Sequence, residues 1–286
     1  MENHKCGFVN IMGKPNVGKS TLMNALVGEK LSKSQTTRHR ITGIINGDDF
    51  QIVYSDTPGI IINPAYKLQE SMNNFVSGSL QDADIALFIT DIYETPEEEP
   101  ADTLRKLEHM EVPKILLLNK IDLDKDNKVD ELVEYWETKK IFDHVIPISA
   151  LTKLNVDILF GLILQNLPLH PPFYPKDEIT DKPERFFMSE IIREKILVNY
   201  KKEVPYSSEV EIEEFKEEDK LVRIRAVIYV ERKTQKGILI GNQGAAIKKV
   251  GTQARKDMEI FLGKKVFLET FVKVREKWRS NDRDLK

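Results

Sequence analysis

Residues 13–20 read Gly13-Lys14-Pro15-Asn16-Val17-Gly18-Lys19-Ser20, with Thr21 behind them. Two glycines separated by four residues, then a lysine and a hydroxyl residue, form the pattern of a loop that wraps a phosphate chain. The glycines allow a tight turn and close backbone approach. The loop N–H groups and the start of the following helix then converge on phosphate oxygens. Lys19 supplies a point charge at the β and γ phosphates, and the Ser20 hydroxyl is a ligand for Mg²⁺.

Three further segments complete the set. Asp56-Thr57-Pro58-Gly59 closes an apolar run. Alone it reads as a turn, but after a phosphate loop Asp56 can hold Mg²⁺ and the Gly59 N–H can meet a γ-phosphate. Asn119-Lys120-Ile121-Asp122 follows the apolar run 115–118. Its Asp122 carboxylate can accept two hydrogen bonds from the N1–H and N2–H₂ edge of guanine. Adenine would leave that carboxylate unpaired, at a cost of about 1–3 kcal/mol. Lys120 can lie along the base, and Asn119 can tie this loop to the phosphate loop. Ser149-Ala150-Leu151 ends a last apolar run and offers a backbone N–H to guanine O6. In this order the four segments point to guanine nucleotide and away from a nucleotide kinase or an ATPase, which share only the first.

A separate feature lies near the other end. Gly241-Asn242-Gln243-Gly244 stands between two helix-like stretches, 234–240 and 245–262. Glycines at both ends let a nucleic-acid backbone come close to peptide N–H groups. Ile238, Ile240 and Ile247 would form an apolar floor for bases, with Lys248 beside them. Arg232, Lys233, Lys236 and Lys249 add positive charge.

These residues need elements to hold them. Apolar runs at 7–12, 51–55, 85–90, 115–118 and 145–148 read as strands. The helix-like stretches 20–27, 64–79, 100–109 and 128–140 alternate with them. That alternation predicts an α/β unit with a mostly parallel sheet and helices on both faces, with ligand at the carboxyl ends of the strands. Residues 167–183 contain five prolines and no periodicity, which predicts a connection between domains. Beyond it the predicted order is helix (184–202), two alternating strands (209–215, 221–230), helix, glycine loop, helix and strand (266–274). The expected division is a nucleotide-binding domain over 1–170, a linker over 171–184 and a smaller α+β domain over 185–286.

The net charge of −3 hides an asymmetry: residues 220–286 hold 18 Lys and Arg against 7 Asp and Glu. A basic end on an acidic chain suits a polyanion, either nucleic acid or an anionic membrane surface. The tail Lys273-Val274-Arg275-Glu276-Lys277-Trp278-Arg279 reads equally as an RNA contact or as a surface end with Trp278 packed inward. At 41% hydrophobic and 31% charged the chain is expected to be a soluble globular protein with no secretory signal. The single cysteine, Cys6, excludes an intrachain disulfide and reads as a structural residue.

The N-terminal half resembles the translation-factor-related GTPases, and Gln35-Thr36-Thr37-Arg38-His39-Arg40 resembles the first switch of the Era family. Pro205-Tyr206-Ser207, Gly237-Ile238-Leu239-Ile240-Gly241 and the glycine loop resemble the type II KH domain of the same family. The resemblance implies a P-loop GTPase domain followed by a KH RNA-binding domain. It implies Thr37 as a Mg²⁺ ligand beside Ser20 and Asp56, with Thr36 as the alternative. Lys19, Thr37, Asp56 and Gly59 are then the residues that serve hydrolysis. Ile60 stands where small signalling GTPases place a water-orienting Gln. An Ile side chain cannot hold water by hydrogen bonding, so slow intrinsic hydrolysis is expected. Asn16 offers a carbonyl oxygen near the phosphates, which in related GTPases helps to hold K⁺.

The expected partners are GTP and GDP, single-stranded ribosomal RNA near the 3′ end of the small-subunit RNA, and the small ribosomal subunit itself. A cytoplasmic monomer that assists small-subunit assembly is the leading expectation. Peripheral association with the inner face of the membrane, the basic domain serving as anchor, is the alternative.

Overall fold

The computed structural model describes residues 4–28, 41–56, 82–94, 99 and 101–280. The chain divides into two units, with the boundary between Asp181 and Lys182.

The first unit is built on a six-stranded sheet. Its strands are β1 (Lys5–Met12), β2 (Ile41–Asn46), β3 (Phe50–Asp56), β4 (Ile85–Asp91), β5 (Lys114–Asn119) and β6 (His144–Pro147). Their order across the sheet is β2-β3-β1-β4-β5-β6. Neighbours run parallel except β2, which pairs antiparallel with β3. Every residue of β4 is buried, and β5 is buried beyond its first residue, as central strands of a covered parallel sheet require. The described helices of this unit are α1 (Lys19–Val27), α2 (Ala101–Glu108), α3 (Val129–Lys139) and α4 (Val156–Asn166). One core cluster joins Met12, Phe88, Leu116 and Leu118 of the sheet to Leu107 of α2 and Trp136 of α3. The predicted strands are present. β2 has no counterpart among them, because Gly43 and a polar Asn46 interrupt its short apolar pattern.

The Pro-rich segment differs from a free connection. Leu169 bridges Lys5 in antiparallel register, and the His170 N–H donates to the His4 carbonyl at 3.0 Å. Phe173 packs on Phe8 with ring centroids 4.8 Å apart. Further on, the Ile44 N–H donates to the Ile179 carbonyl at 2.9 Å, and Thr180 bridges Gly43. Residues 171–181 thus belong to the first unit, running from contacts with β1 to contacts with the edge strand β2, and the second unit starts at Lys182.

The second unit consists of α5 (Glu184–Asn199), β7 (Ser208–Glu217), β8 (Leu221–Val230), α6 (Lys233–Ile240), α7 (Ala245–Leu262) and β9 (Lys265–Val274). β7 and β8 form an antiparallel hairpin with a bulge between Ile212 and Glu214, and β9 joins parallel to β8. The stripe Phe187, Ile191, Ile192 and Ile196 turns inward on α5, each residue buried. α5 packs on α7 and β7, and α7 on β9. Among the described residues, no helix is long and apolar enough to cross a membrane.

Candidate nucleotide site and nucleic-acid cleft

The phosphate loop runs from the end of β1 into α1, and three of its residues adopt positive φ: Gly13 (149°), Asn16 (68°) and Gly18 (109°). Two of these positions tolerate no side chain. A Cβ on Gly13 would lie 2.1 Å from the Ile89 carbonyl oxygen, and one on Gly18 would lie 2.2 Å from Asn119 Nδ2. The loop is therefore pressed against β4 and the guanine loop. Lys19 and Ser20 are buried at the first turn of α1. Lys19 Nζ curls back to donate to the carbonyls of Gly13 (3.0 Å) and Lys14 (2.6 Å). Pro15 and Asn16 are exposed, and Val17 is buried below them. Thr21 lies on α1.

Asn119 connects the three loops. Its Nδ2 donates to the Val17 carbonyl of the phosphate loop at 2.7 Å, while its Oδ1 accepts the Ala150 N–H at 2.9 Å. The residue sits at the end of β5, level with Asp91 on β4. Lys120 follows in left-handed conformation (φ 65°), and Asp122 lies exposed in the short turn Ile121–Leu123. The Ile121 N–H donates to the Ile148 carbonyl at 3.3 Å, which holds the guanine loop beside the Ser149-Ala150-Leu151 loop. Ser149 is buried and its Oγ accepts the Thr152 N–H at 3.1 Å, whereas Leu151 is exposed. Asp56 ends β3, its backbone in register with Ile11 of β1. Thr36, Thr37, Thr57, Pro58, Gly59 and Ile60 lie outside the described residues.

Sequence reasoning missed the acidic partners of this site. Lys14 pairs with Glu94 at 2.5 Å, and Lys120 pairs with Asp91. Glu99 lies buried nearby, accepting a 2.5 Å hydrogen bond from Thr90 Oγ1. Burial pushes its carboxyl above the usual carboxylate range, against the Thr90 hydrogen bond and the attraction of Lys14; Glu94 and Asp91 push it further up. No short motif marks these acids, since strand adjacency alone brings them to the lysines.

In the second unit the glycine loop joins α6 to α7. Gly241 (φ 71°), Gln243 (48°) and Gly244 (77°) adopt positive φ. A Cβ on Gly241 would sit 2.6 Å from that of Ala246, so the chain turns there without room for a side chain. Asn242 and Gln243 are exposed at the tip. Beyond them a cleft of about 320 Å³ opens between α7 and β9, lined by Ile247, Lys248, Gly251, Thr252, Arg255, Leu268 and Thr270. Ile247 and Lys248 were expected there. Gly251, Arg255 and the β9 residues had no local signal. Ile238 is half-exposed on α6 and Ile240 half-buried, and neither lines the cleft. Trp278 is packed inward, with Nε1 donating to the Ser207 carbonyl at 3.2 Å, so its ring is not a stacking platform for RNA.

Residues 8–120 match the family described as 50S ribosome-binding GTPase, and residues 203–279 match the KH domain. GTPase Era of Staphylococcus haemolyticus is 42% identical over 285 residues, spanning 98% of this chain and 95% of its own. The chain belongs to the Era family of GTPases. Like the other members it is a GTP hydrolase with a P-loop domain followed by a KH domain. GTPase Era of Alkaliphilus metalliredigens is 43% identical, over 99% of this chain and 98% of its own. Among solved structures, Era in complex with MgGDPNP and nucleotides 1506–1542 of 16S ribosomal RNA superposes with a TM-score of 0.92. Its identity is 37%, covering 99% of this chain and 97% of that one. A single-residue variant of Aquifex aeolicus Era bound to GDP and AlF₄⁻ gives the same TM-score at 38% identity, over 98% and 97%.

Proposed function

We propose that this Era-family GTPase binds small-subunit ribosomal RNA near its 3′ end and serves small-subunit assembly, with the bound nucleotide gating RNA affinity. The observation that carries this reading is the basic cleft beside Gly241–Gly244, joined in one chain to a guanine-nucleotide site. A solved relative holding a 16S RNA fragment supports it. The unit has parts that suit a single strand: Asn242 and Gln243 exposed at the tip of the glycine loop, and a cleft beyond it with Ile247 and Leu268 as apolar walls and Lys248 and Arg255 as cations.

For hydrolysis, the residues 13–21, 56–60, 119–122 and 149–151 are assigned to GTP. Water attacks the γ-phosphate in line. Lys19 and the loop N–H groups stabilise the charge that develops. The donors present fit Mg²⁺: Ser20 brings a hydroxyl oxygen to the first turn of α1, and Asp56 brings a carboxylate residue to the end of the strand beside β1. Phosphate oxygens and water would supply further ligands. Thr37 is assigned to the same ion. When bound, Mg²⁺ would neutralise charge on the β and γ phosphates. Asn16, exposed in left-handed conformation, is assigned to K⁺. With Ile60 in place of Gln, hydrolysis is slow and the protein works as a timer. We assign it to the cytoplasm as a monomer, with weak attachment to a membrane surface through its basic domain.

The test is RNA binding by the full chain with GDP and with a non-hydrolysable GTP analogue. Replacing Asn242 and Gln243 by Asp places two charges against the phosphate chain and should weaken binding by about tenfold or more. Unchanged RNA affinity overturns the clamp, and normal hydrolysis by Lys19→Ala overturns the phosphate site. Equal GTPase rates in K⁺ and Na⁺ remove the Asn16 assignment.

A further inference from the structure

The turn that ends β4, residues 91–94, carries two acids, and each holds a lysine of a different nucleotide-binding loop. Asp91 is only 3% exposed. Its Oδ2 pairs with Lys120 Nζ of the guanine loop, and its Oδ1 accepts the Tyr93 N–H at 2.9 Å. Glu94 Oε2 pairs with Lys14 Nζ of the phosphate loop at 2.5 Å. Between them, the Ile92 N–H donates to the Asn119 carbonyl at 3.3 Å. The Tyr93 ring lies 5.9 Å from Lys120 Nζ. Four consecutive residues thus contact both loops, by side chain at each end and by backbone in the middle.

We propose that Asp91 and Glu94 are positioning residues for guanine nucleotide, Asp91 setting Lys120 along the purine face and Glu94 setting the first turn of the phosphate loop through Lys14. The proposal rests on the assignment of Lys120 and Lys14 to the nucleotide site. Its physical basis is the freedom of lysine. An untethered lysine samples many rotamers, and a ligand that needs its stem in one place must restrict them on binding. A buried carboxylate that holds the ammonium restricts them beforehand, so the nucleotide meets a preorganised surface. Asp91 is suited to this because a buried carboxylate cannot be left without its cation. Lys120 also leaves β5 in left-handed conformation, which directs it toward the β4 end. Asp91 stands on the fully buried β4, and Glu94 on the turn that directly follows it.

Lys120 acts on the face of the base and Asp122 on its edge, so the two roles separate experimentally. Inosine diphosphate lacks the exocyclic amine that Asp122 reads but keeps the purine face. Using the full chain and fluorescent GDP with competing IDP and ADP, Asp91→Asn should weaken GDP and IDP by the same factor, about tenfold, as a lost charge-assisted hydrogen bond implies. The GDP-to-IDP ratio should stay at the wild-type value, whereas Asp122→Asn collapses it. The loss should appear in KM for GTP, with kcat at saturation retained. Asp91→Asn combined with Lys120→Gln should be no weaker than Lys120→Gln alone, and Asp91→Glu should restore most of the affinity. Glu94→Gln, at a partly exposed turn where folding is not at risk, should show the same non-additivity with Lys14→Gln. Wild-type affinity in both Asp91→Asn and Glu94→Gln, or full additivity with the lysine variants, overturns the proposal. If the wild-type protein itself fails to prefer GDP over ADP, the guanine-site assignment has failed instead.

Discussion

Gln51 and Tyr174 exchange two hydrogen bonds: Gln51 Nε2 donates to the Tyr174 carbonyl at 2.9 Å, and Gln51 Oε1 accepts the Tyr174 N–H at 3.0 Å. Gln51 is fully buried on β3, and the rest of its amide is used as well. Oε1 also accepts the Phe173 N–H at 2.8 Å and the Cys6 thiol at 3.5 Å, while Nε2 donates to Asn46 Oδ1 at 2.7 Å. One side chain thereby seats the Pro-rich segment on the first unit.

Replacing Gln51 by Leu keeps the volume and leaves the Phe173 and Tyr174 backbone groups without their partner. The expected cost is about 2–4 kcal/mol of first-unit stability, the penalty for two or more unsatisfied buried groups. Urea unfolding followed by Trp136 fluorescence measures it. A change under about 0.5 kcal/mol would mean that water replaces the amide at no cost.

Glu99 predicts a pH dependence. Burial raises its carboxyl, helped by Glu94 and Asp91 and opposed by the Thr90 hydrogen bond and Lys14. The folded state therefore holds the proton more tightly than the unfolded chain does. The stability from this group is fully present below the unfolded value, about 4.3, and is lost as pH rises through the folded one. Glu99→Gln keeps an acceptor for Thr90 and cannot ionise. Relative to wild type it should be more stable at neutral pH, with the difference vanishing in acid. Urea midpoints from pH 4 to 8 read this directly, and parallel curves would contradict it.

Gly18→Ala should disable nucleotide binding while the unit stays folded. The new Cβ would meet Asn119 Nδ2, the atom that ties the guanine loop to Val17, at a φ of 109° that disfavours any side chain. Losing the Asn119 hydrogen bonds on either side costs about 2–3 kcal/mol, roughly a 30-fold or greater rise in Kd for GDP. Calorimetric titration checks it, and near-normal affinity would show that Asn119 can move aside freely.

Lys248 and Arg255 line the cleft, so each should release about one counterion when single-stranded RNA binds. Replacing either with Ala should reduce the slope of log K against log salt by about 0.7, and replacing both by about twice that. An unchanged slope in both variants would place the RNA phosphates elsewhere on the unit.

Most of the nucleotide site was legible in the sequence because its demands are local. Gly13 and Gly18 are glycines since the loop needs positive φ with no Cβ, and Asn119 and Asp122 lie within four residues of each other on one loop. The strands β4 and β5 declared themselves as unbroken apolar runs, which burial on both faces of a sheet requires, and the inward stripe of α5 by its helical spacing. The order of elements around Gly241–Gly244 followed in the same way.

What the sequence determined by itself was thus the set of short motifs and the elements that carry them, because torsional limits and burial periods act within a few residues. Tertiary structure alone decided the rest. Prolines over 167–183 look like a free linker, yet Gln51, 123 positions before Tyr174, seats that segment on the first unit. Trp278 could have faced RNA until the Ser207 carbonyl claimed its N–H. Asp91 reaches Lys120 only because β4 and β5 lie side by side, with Asp91 level with Asn119. Such pairings depend on which strands become neighbours, and no spacing along the chain encodes that.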